Sequence, residues 1–223
     1  MKLLFALWII GGCVWAQATR TPNTLSPEEQ KEGFILLFDG KSLDKWDVRP
    51  GQTTWKIADG AIKSESSTAG ATLLTKEDFA NYILRAEFRA HPQVNSGIML
   101  RQSRPGTGGG DQQSKGKQAA GAGGYELQIR DKTGEFPSGD FMTASIVNVG
   151  KAPADAKILP GQWNTFEITM NGDHMVVVYN GRKVVDGHDS RLRSGAIGLQ
   201  SAHAEDPPGA GVEFRNLKVK RLP

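Results

Sequence analysis

Residues 163–186, WNTFEITMNGDHMVVVYNGRKVVD, constrain the fold more than any other part of this chain. Apolar residues there recur at about every second position, the period of a half-buried β-strand. Asn171-Gly172 and Asn180-Gly181 divide the run into WNTFEITM, HMVVVYN and KVVD. Asn and Gly accept the positive φ that tight hairpin turns demand, so the run predicts a three-stranded antiparallel meander. The same signals recur elsewhere. FILLF closes on Asp39-Gly40, and TWKIA and AIKSE flank Asp59-Gly60. In NYILRAEFRA, Tyr82, Leu84, Ala86 and Phe88 take one face and Arg85, Glu87 and Arg89 the other. NSGIMLR, YELQIRD, AIGLQ and VEFRNLKVKRL complete the series. About a dozen short strands with turn punctuation predict an all-β sandwich or jelly roll.

One short helix is expected before the strands. Ser26 is an N-cap, Pro27 stands at the first helical position, Glu29 completes a capping box and Gly33 ends the turn. At 223 residues and 38% hydrophobic composition, the chain can bury a full core as one domain. Its net charge of +3 is spread along the sequence with no Lys/Arg block, which argues against a nucleic-acid partner. Residues 102–124 have no apolar period and are rich in Gly, Ser and Gln. Long structureless loops tend to be functional, and this one joins NSGIMLR to YELQIRD, so it is expected to be mobile and to border a site.

The N-terminus reads as an export signal over residues 1–18. Lys2 is followed by the apolar LLFALWII, with small residues before Ala16 and Ala18 as cleavage points. The run is too short for a transmembrane helix. A second reading stands beside it: IGGC resembles a lipoprotein box, with Cys13 as the lipid-bearing residue. Either way the protein is expected outside the cytoplasm, periplasmic or secreted, and possession of one cysteine excludes disulfides within the exported part. Residues 19–32 form the linker and helix, and the jelly roll is expected over 33–223.

The sequence lacks a G-x-S-x-G elbow, H-E-x-x-H, Walker A and G-x-G-x-x-G. His91 and His174 fall at strand ends and face solvent, and DGHD at 186–189 has the composition of a cation loop or of a plain loop beside a hairpin. GYELQIRD is the informative strand. Tyr125, Leu127 and Ile129 alternate with Glu126, Gln128 and Arg130, and Asp131 follows. Many sugar-cleaving jelly rolls carry E-x-D-x-x-E on one strand, where a β-bulge aims the carboxylates the same way. Here that frame reads Glu126-x-Gln128-x-x-Asp131. Without a bulge, Glu126 and Asp131 face opposite sides.

GFILLFDGKSLDKWDV, WKIADGAI, NSGIMLR, GYELQIRD, WNTFEITMNG, GAIGLQ and VEFRNLKVK occur in this order over residues 33–222. Together they resemble the 3-keto-disaccharide hydrolase family, also described as 3-keto-glycoside lyase/hydratase domains. The resemblance implies a concanavalin A-like jelly roll and an exported carbohydrate-active enzyme whose partner is a keto-sugar glycoside. Neither a cofactor nor a metal is assigned. A ketone at C3 acidifies the C2 proton, so one base, one acid for the leaving oxygen and donors at the enolate oxygen suffice. The matching motifs place Glu126 as the base by preference, with His203 or Asp131 as the acid. Arg101, beside Glu126, would be the oxyanion stabiliser, and Asn95, Gln128 and Gln200 would bind substrate. The family's Q-D-H-G segment is interrupted here by Ser201-Ala202 and followed by AEDPPGAG. Arg215-Asn216 also match and are assigned a structural role near a sheet edge. Trp46, Trp55 and Trp163 are assigned to the core rather than to sugar platforms. The alternative to an enzyme is a non-catalytic, lectin-like glycan-binding module on the same fold.

Overall fold

A computed structural model describes residues 21–48, 54–65, 71–104, 123–131 and 141–223. The leader, Cys13 and positions 105–122 of the Gly-rich segment lie outside the described residues. Two antiparallel sheets pack face to face as a jelly-roll sandwich. The larger runs β11 (Arg182–His188), β10 (His174–Tyr179), β9 (Asn164–Asn171), β6 (Tyr82–Ala90), β13 (Gly211–Arg221), β4 (Ala61–Glu65), β3 (Lys56–Ala58), with β1 (Ile35–Leu36) also on β13. The smaller runs β2 (Trp46–Asp47), β5 (Thr72–Phe79), β12 (Gly195–Gln200), β7 (Ser96–Gln102), β8 (Tyr125–Ile129). Among the described residues no helix is long and apolar enough to cross a membrane.

The expected meander is β9-β10-β11, with Met175 opposite Met170 and Val177 opposite Ile168. Its second turn is Asn180-Gly181, both at positive φ, as a type I′ hairpin requires. Its first turn is displaced by one residue from the expected position. Asn171 still pairs with His174, so Gly172-Asp173 forms the loop, and only Gly172 has positive φ. Gly at the first central position is the type II′ solution to the same geometry.

The core lies between the sheets. Leu84, Phe88, Phe166, Ile168, Val177 and Phe214 from the larger sheet meet Leu73, Ile98, Leu100, Tyr125, Leu127, Ile197 and Leu199 from the smaller one. Phe88 and Phe166 stack with centroids 5.0 Å apart. Burying each such side chain contributes about 1.5–3 kcal/mol. Trp46 and Trp55 are buried, as expected. Trp163 instead lies between the guanidinium groups of Arg89 and Arg215, 4.8 and 4.0 Å from its ring centroid.

The outer face of the larger sheet carries charges in opposite pairs. Arg85 stands across from Glu167, Arg215 from Glu87 and Arg89 from Glu213, with contacts of 2.8, 2.7 and 2.6 Å. The helix α1 (Pro27–Lys31) docks on this face. Its capping box forms as expected, and buried Glu29 then accepts from Lys218 Nζ at 2.8 Å and Arg85 Nη1 at 3.3 Å. Burial alone would raise the Glu29 carboxyl, but the Lys218 and Ser26 hydrogen bonds outweigh it and hold it below the usual range.

Asn216 sits in the centre of the larger sheet, not at its edge. It occupies the bulge of β13 between Arg215 and Lys218 at φ +50°. Its main-chain N–H donates to Asn23 Oδ1 at 2.8 Å, its Oδ1 accepts from the Asn23 N–H, and Asn23 Nδ2 donates to Gly60 O. Asn216→Ala should therefore lose both a tolerated left-handed residue and a hydrogen bond, lowering stability by about 2–4 kcal/mol in urea unfolding. Asn216→Gly should recover only the backbone part.

Candidate functional site

The site forms on the outer face of the smaller sheet because β8 divides its side chains by period. Tyr125, Leu127 and Ile129 fill the core, so Glu126, Gln128 and Arg130 face the other way. The strand is paired on both edges. On one side Met99 lies opposite Glu126 and Gly97 opposite Gln128. On the other, Val147 N–H donates to Glu126 O, Ser145 O accepts from Gln128 N–H, and Ala144 N–H donates to Gln128 O. Glu126, Gln128 and Arg130 are only 4, 2 and 4% exposed.

Gln128 Nε2 donates to Glu126 Oε1 at 3.1 Å. Gln200, opposite Gly97 on β12, reaches over from the other side. Gly97 is small for a reason: a Cβ there would lie 2.8 Å from Leu127 O, 3.4 Å from Gln200 Oε1 and 3.5 Å from Glu126 Cγ. The missing side chain lets the two side chains meet. Burial raises the Glu126 carboxyl above its usual range, against the opposing pull of the Gln200 hydrogen bond and the fields of His203 and Arg130. Gln128 Oε1 and Gln200 Oε1 are buried and have no hydrogen-bond partner among the described residues. Asn95, just before β7, closes the group: its Nδ2 is 3.5 Å from His203 Nδ1. Five of the expected residues, Asn95, Glu126, Gln128, Gln200 and His203, thus come together.

Two do not. Arg101 lies two residues beyond Met99 on β7, and in a regular strand it would share the face of Glu126. Its φ of +51° turns it out of that pattern. The guanidinium is fully buried and donates to Ala80 O at 2.7 and 2.9 Å, Gly172 O at 2.7 Å and Leu192 O at 2.8 Å. It ties three connections together at the far end of the strand, and burial holds it below the ordinary arginine range. Asp131 faces away from Glu126, because no bulge interrupts the alternation. Its oxygens accept from Thr143 Oγ1 and Ile158 N–H, each at 2.8 Å. It anchors the segment that walls β8, and burial raises its carboxyl despite those two donors.

Arg130, Gly97, Glu205 and Asp206 join the site without having been singled out. Arg130 was accessible from the period of β8, and Gly97 from its place in NSG. Glu205 and Asp206 stand in a loop with no pattern to mark them. The acids of DGHD do not converge: Asp186 pairs with His174 and Lys183, and Asp189 accepts from Tyr125 and Arg191. Among the described residues no three His, Cys, Asp or Glu side chains are grouped to hold a metal ion. A concavity of about 860 Å³ lies on the opposite sheet, but its Glu29, Arg85, Glu87, Glu167, Arg215 and Lys218 neutralise one another.

Arg101→Gln should leave carbonyl oxygens of Ala80, Gly172 and Leu192 without donors. At about 1–3 kcal/mol per unsatisfied buried group, stability should fall by at least about 3 kcal/mol. Urea unfolding measures this. Ligand affinity of the fraction that remains folded should be unchanged, as fits a residue outside the site.

The model of a 3-keto-alpha-glucoside-1,2-lyase-like domain matches residues 33–220. No protein of curated function matches significantly. Among solved structures, a candidate glycosyl hydrolase from Parabacteroides distasonis superposes with TM-score 0.73 at 20% identity, covering 91% of this chain and all of the other. A Bacillus subtilis protein with a galectin-like fold gives 0.52 at 12% identity over 75% of this chain and 86% of its own. The lumenal domain of VIP36, in a Ca2+- and mannose-oligosaccharide-bound form, gives 0.53 at 9% over 86% of this chain and 90% of its own. These likenesses establish the shared sandwich. With residues 33–220 matched, the chain belongs to the 3-keto-alpha-glucoside-1,2-lyase-like domain family.

Proposed function

We propose that the Glu126 face is the active site of an exported enzyme that cleaves 3-keto-glycosides by elimination and hydration. The observation that carries this reading is a buried carboxylate beside two amides whose carbonyl oxygens lack partners among the described residues. An unpartnered buried acceptor costs about 1–3 kcal/mol. Sugar hydroxyls are donors and would recover that energy at Gln128 and Gln200.

Glu126 takes the C2 proton of the keto sugar, and the C–H electron pair moves into an enolate with charge on the C3 oxygen. Asn95 Nδ2 and the charge of Arg130 are assigned to stabilise that oxygen. The electron pair returns to form the C1=C2 bond as the C1–O bond breaks. His203 protonates the departing oxygen. Water then adds across the double bond, its hydroxyl to C1 and its proton to His203, while Glu126 returns its proton to C2, so both groups are restored and the net change is hydrolysis. A base whose affinity for protons is raised by burial is a stronger base than an ordinary glutamate. Gln128, standing where retaining glycosidases keep an acid, fits a route that needs no second carboxylate on the strand.

Glu126→Gln keeps the shape and still accepts from Gln128, but cannot take a proton. Turnover of a 3-keto-glucoside, followed by aglycone release, should fall by roughly two orders of magnitude or more. The same substitution should not lower stability near neutral pH. The folded-state affinity of Glu126 for its proton is raised, so its contribution is full below the unfolded value. It is lost as pH rises toward the folded one, and the substitution removes that loss. Near-normal turnover by folded Glu126→Gln would falsify the base assignment.

In wild type, kcat/KM should fall with decreasing pH through a midpoint above the ordinary glutamate value of about 4.3, because the base must be ionised. A midpoint at or below that value contradicts the assignment. The sugar-bound VIP36 neighbour favours a second reading, a glycan-binding module. Tight binding of unoxidised glycans in calorimetry, with no turnover of keto sugars, decides for it.

A further inference from the structure

The loop that follows β12 carries two acids of its own, and both are directed at His203. Its root is fixed: Ser201 N–H donates to Ala71 O and Ser201 Oγ accepts from Ala71 N–H, each at 2.8 Å, and Ala202 is buried. From there Asp206 joins two loops. Its carboxylate accepts the His203 N–H at 2.8 Å and the Asn95 N–H at 3.1 and 3.2 Å, while its own N–H donates to His203 O at 3.2 Å. One carboxylate therefore sets the main chain of both residues that meet across the site.

Glu205 acts on the ring. Its Oε1 lies 3.0 Å from His203 Nδ1, closer than the 3.5 Å of Asn95 Nδ2. An ionised carboxylate can only accept, so this contact requires the proton on Nδ1. The longer Asn95 contact would require the opposite tautomer. The Glu205 carboxyl is held below its usual range by its own main-chain N–H and then by His203, so it is ionised at neutral pH. The other charged groups that act on this corner are Glu126, whose carboxyl feels both His203 and Arg130, and Arg130, which also acts on Glu205.

We propose that Glu205 and Asp206 are positioning residues for His203: Asp206 fixes its main chain against Asn95, and Glu205 holds the proton on Nδ1. Nε2 is then the nitrogen that exchanges a proton with a bound molecule. A carboxylate that orients an imidazole in this way also stabilises the imidazolium when it forms. The tautomer follows from the contacts alone, whereas the consequence for turnover rests on the function proposed above.

Two measurements keep these apart. In 15N-labelled protein at about pH 8.5, above the imidazole range, long-range 1H–15N spectra report which ring nitrogen carries the proton. The His203 signal is assigned by its loss in His203→Gln. Wild type should have the Nδ1–H form, and Glu205→Ala should shift it toward Nε2–H. Glu205 is exposed, so that variant should fold normally. Asp206→Asn, which replaces one acceptor oxygen with a donor, should move the His203 and Asn95 amide resonances together. With a 3-keto-glucoside, Glu205→Ala should lower kcat about tenfold with KM little changed, and Glu205→Gln, which can still accept from Nδ1, should retain more activity. An Nε2–H tautomer in wild type, or no change in Glu205→Ala, overturns the proposal. If wild type turns over no keto sugar while the tautomer result holds, the functional reading fails and the positioning stands.

Discussion

The packing of β8 governs the rest of the site. Tyr125, Leu127 and Ile129 are all but fully buried in the core. Strand geometry then leaves Glu126, Gln128 and Arg130 no choice of face. A slip of one residue would place a carboxylate, an amide and a guanidinium in the hydrocarbon core, so the apolar half of the strand also specifies the polar half. Both edges of β8 are paired, and those polar groups are themselves buried. That second burial is what turns an ordinary wet face into a site with a basic carboxylate.

The two outer faces of the sandwich treat charge in opposite ways. On the larger sheet Arg85, Arg89 and Arg215 each stand across from an anion, such cross-strand pairs stabilising by roughly 0.2–1 kcal/mol each, and Lys218 meets Glu29 of the docked helix. On the smaller sheet Glu126 is met by amides, two of whose oxygens have no partner among the described residues. A fold maximising its own stability would not leave buried acceptors in this condition. Such local costs are common where a protein handles a ligand, and this is why the smaller sheet, rather than the charge-paired concavity on the other face, is the functional candidate.

Backbone conformations that side chains rarely adopt separate the structural residues from the chemical ones. Arg101 and Asn216 both fall in motif segments and both have positive φ. In each case a register shift between paired strands, at Arg101 between β7 and β12 and at Asn216 between β13 and β6, redirects the side chain to backbone or amide partners that hold distant connections together. Both residues serve the fold, although their chemistry alone would suit a site equally well.

The sequence by itself determined the sheet class, the meander and its turns to within one residue, the capped helix and the side of β8 on which Glu126 and Gln128 stand. Those features depend on period and on turn chemistry, which act over a few residues. It left Asp131 on either face until the absence of a bulge was known, and it placed Arg101 beside Glu126 by assuming a regular strand. It was silent on Glu205 and Asp206, since nothing local marks an acid that bonds to Asn95, 111 residues away. Which groups share a cavity, which are orphaned there and how burial raises the Glu126 carboxyl were decided only by the tertiary structure, because desolvation and hydrogen bonding between distant segments exist only once both sheets are packed.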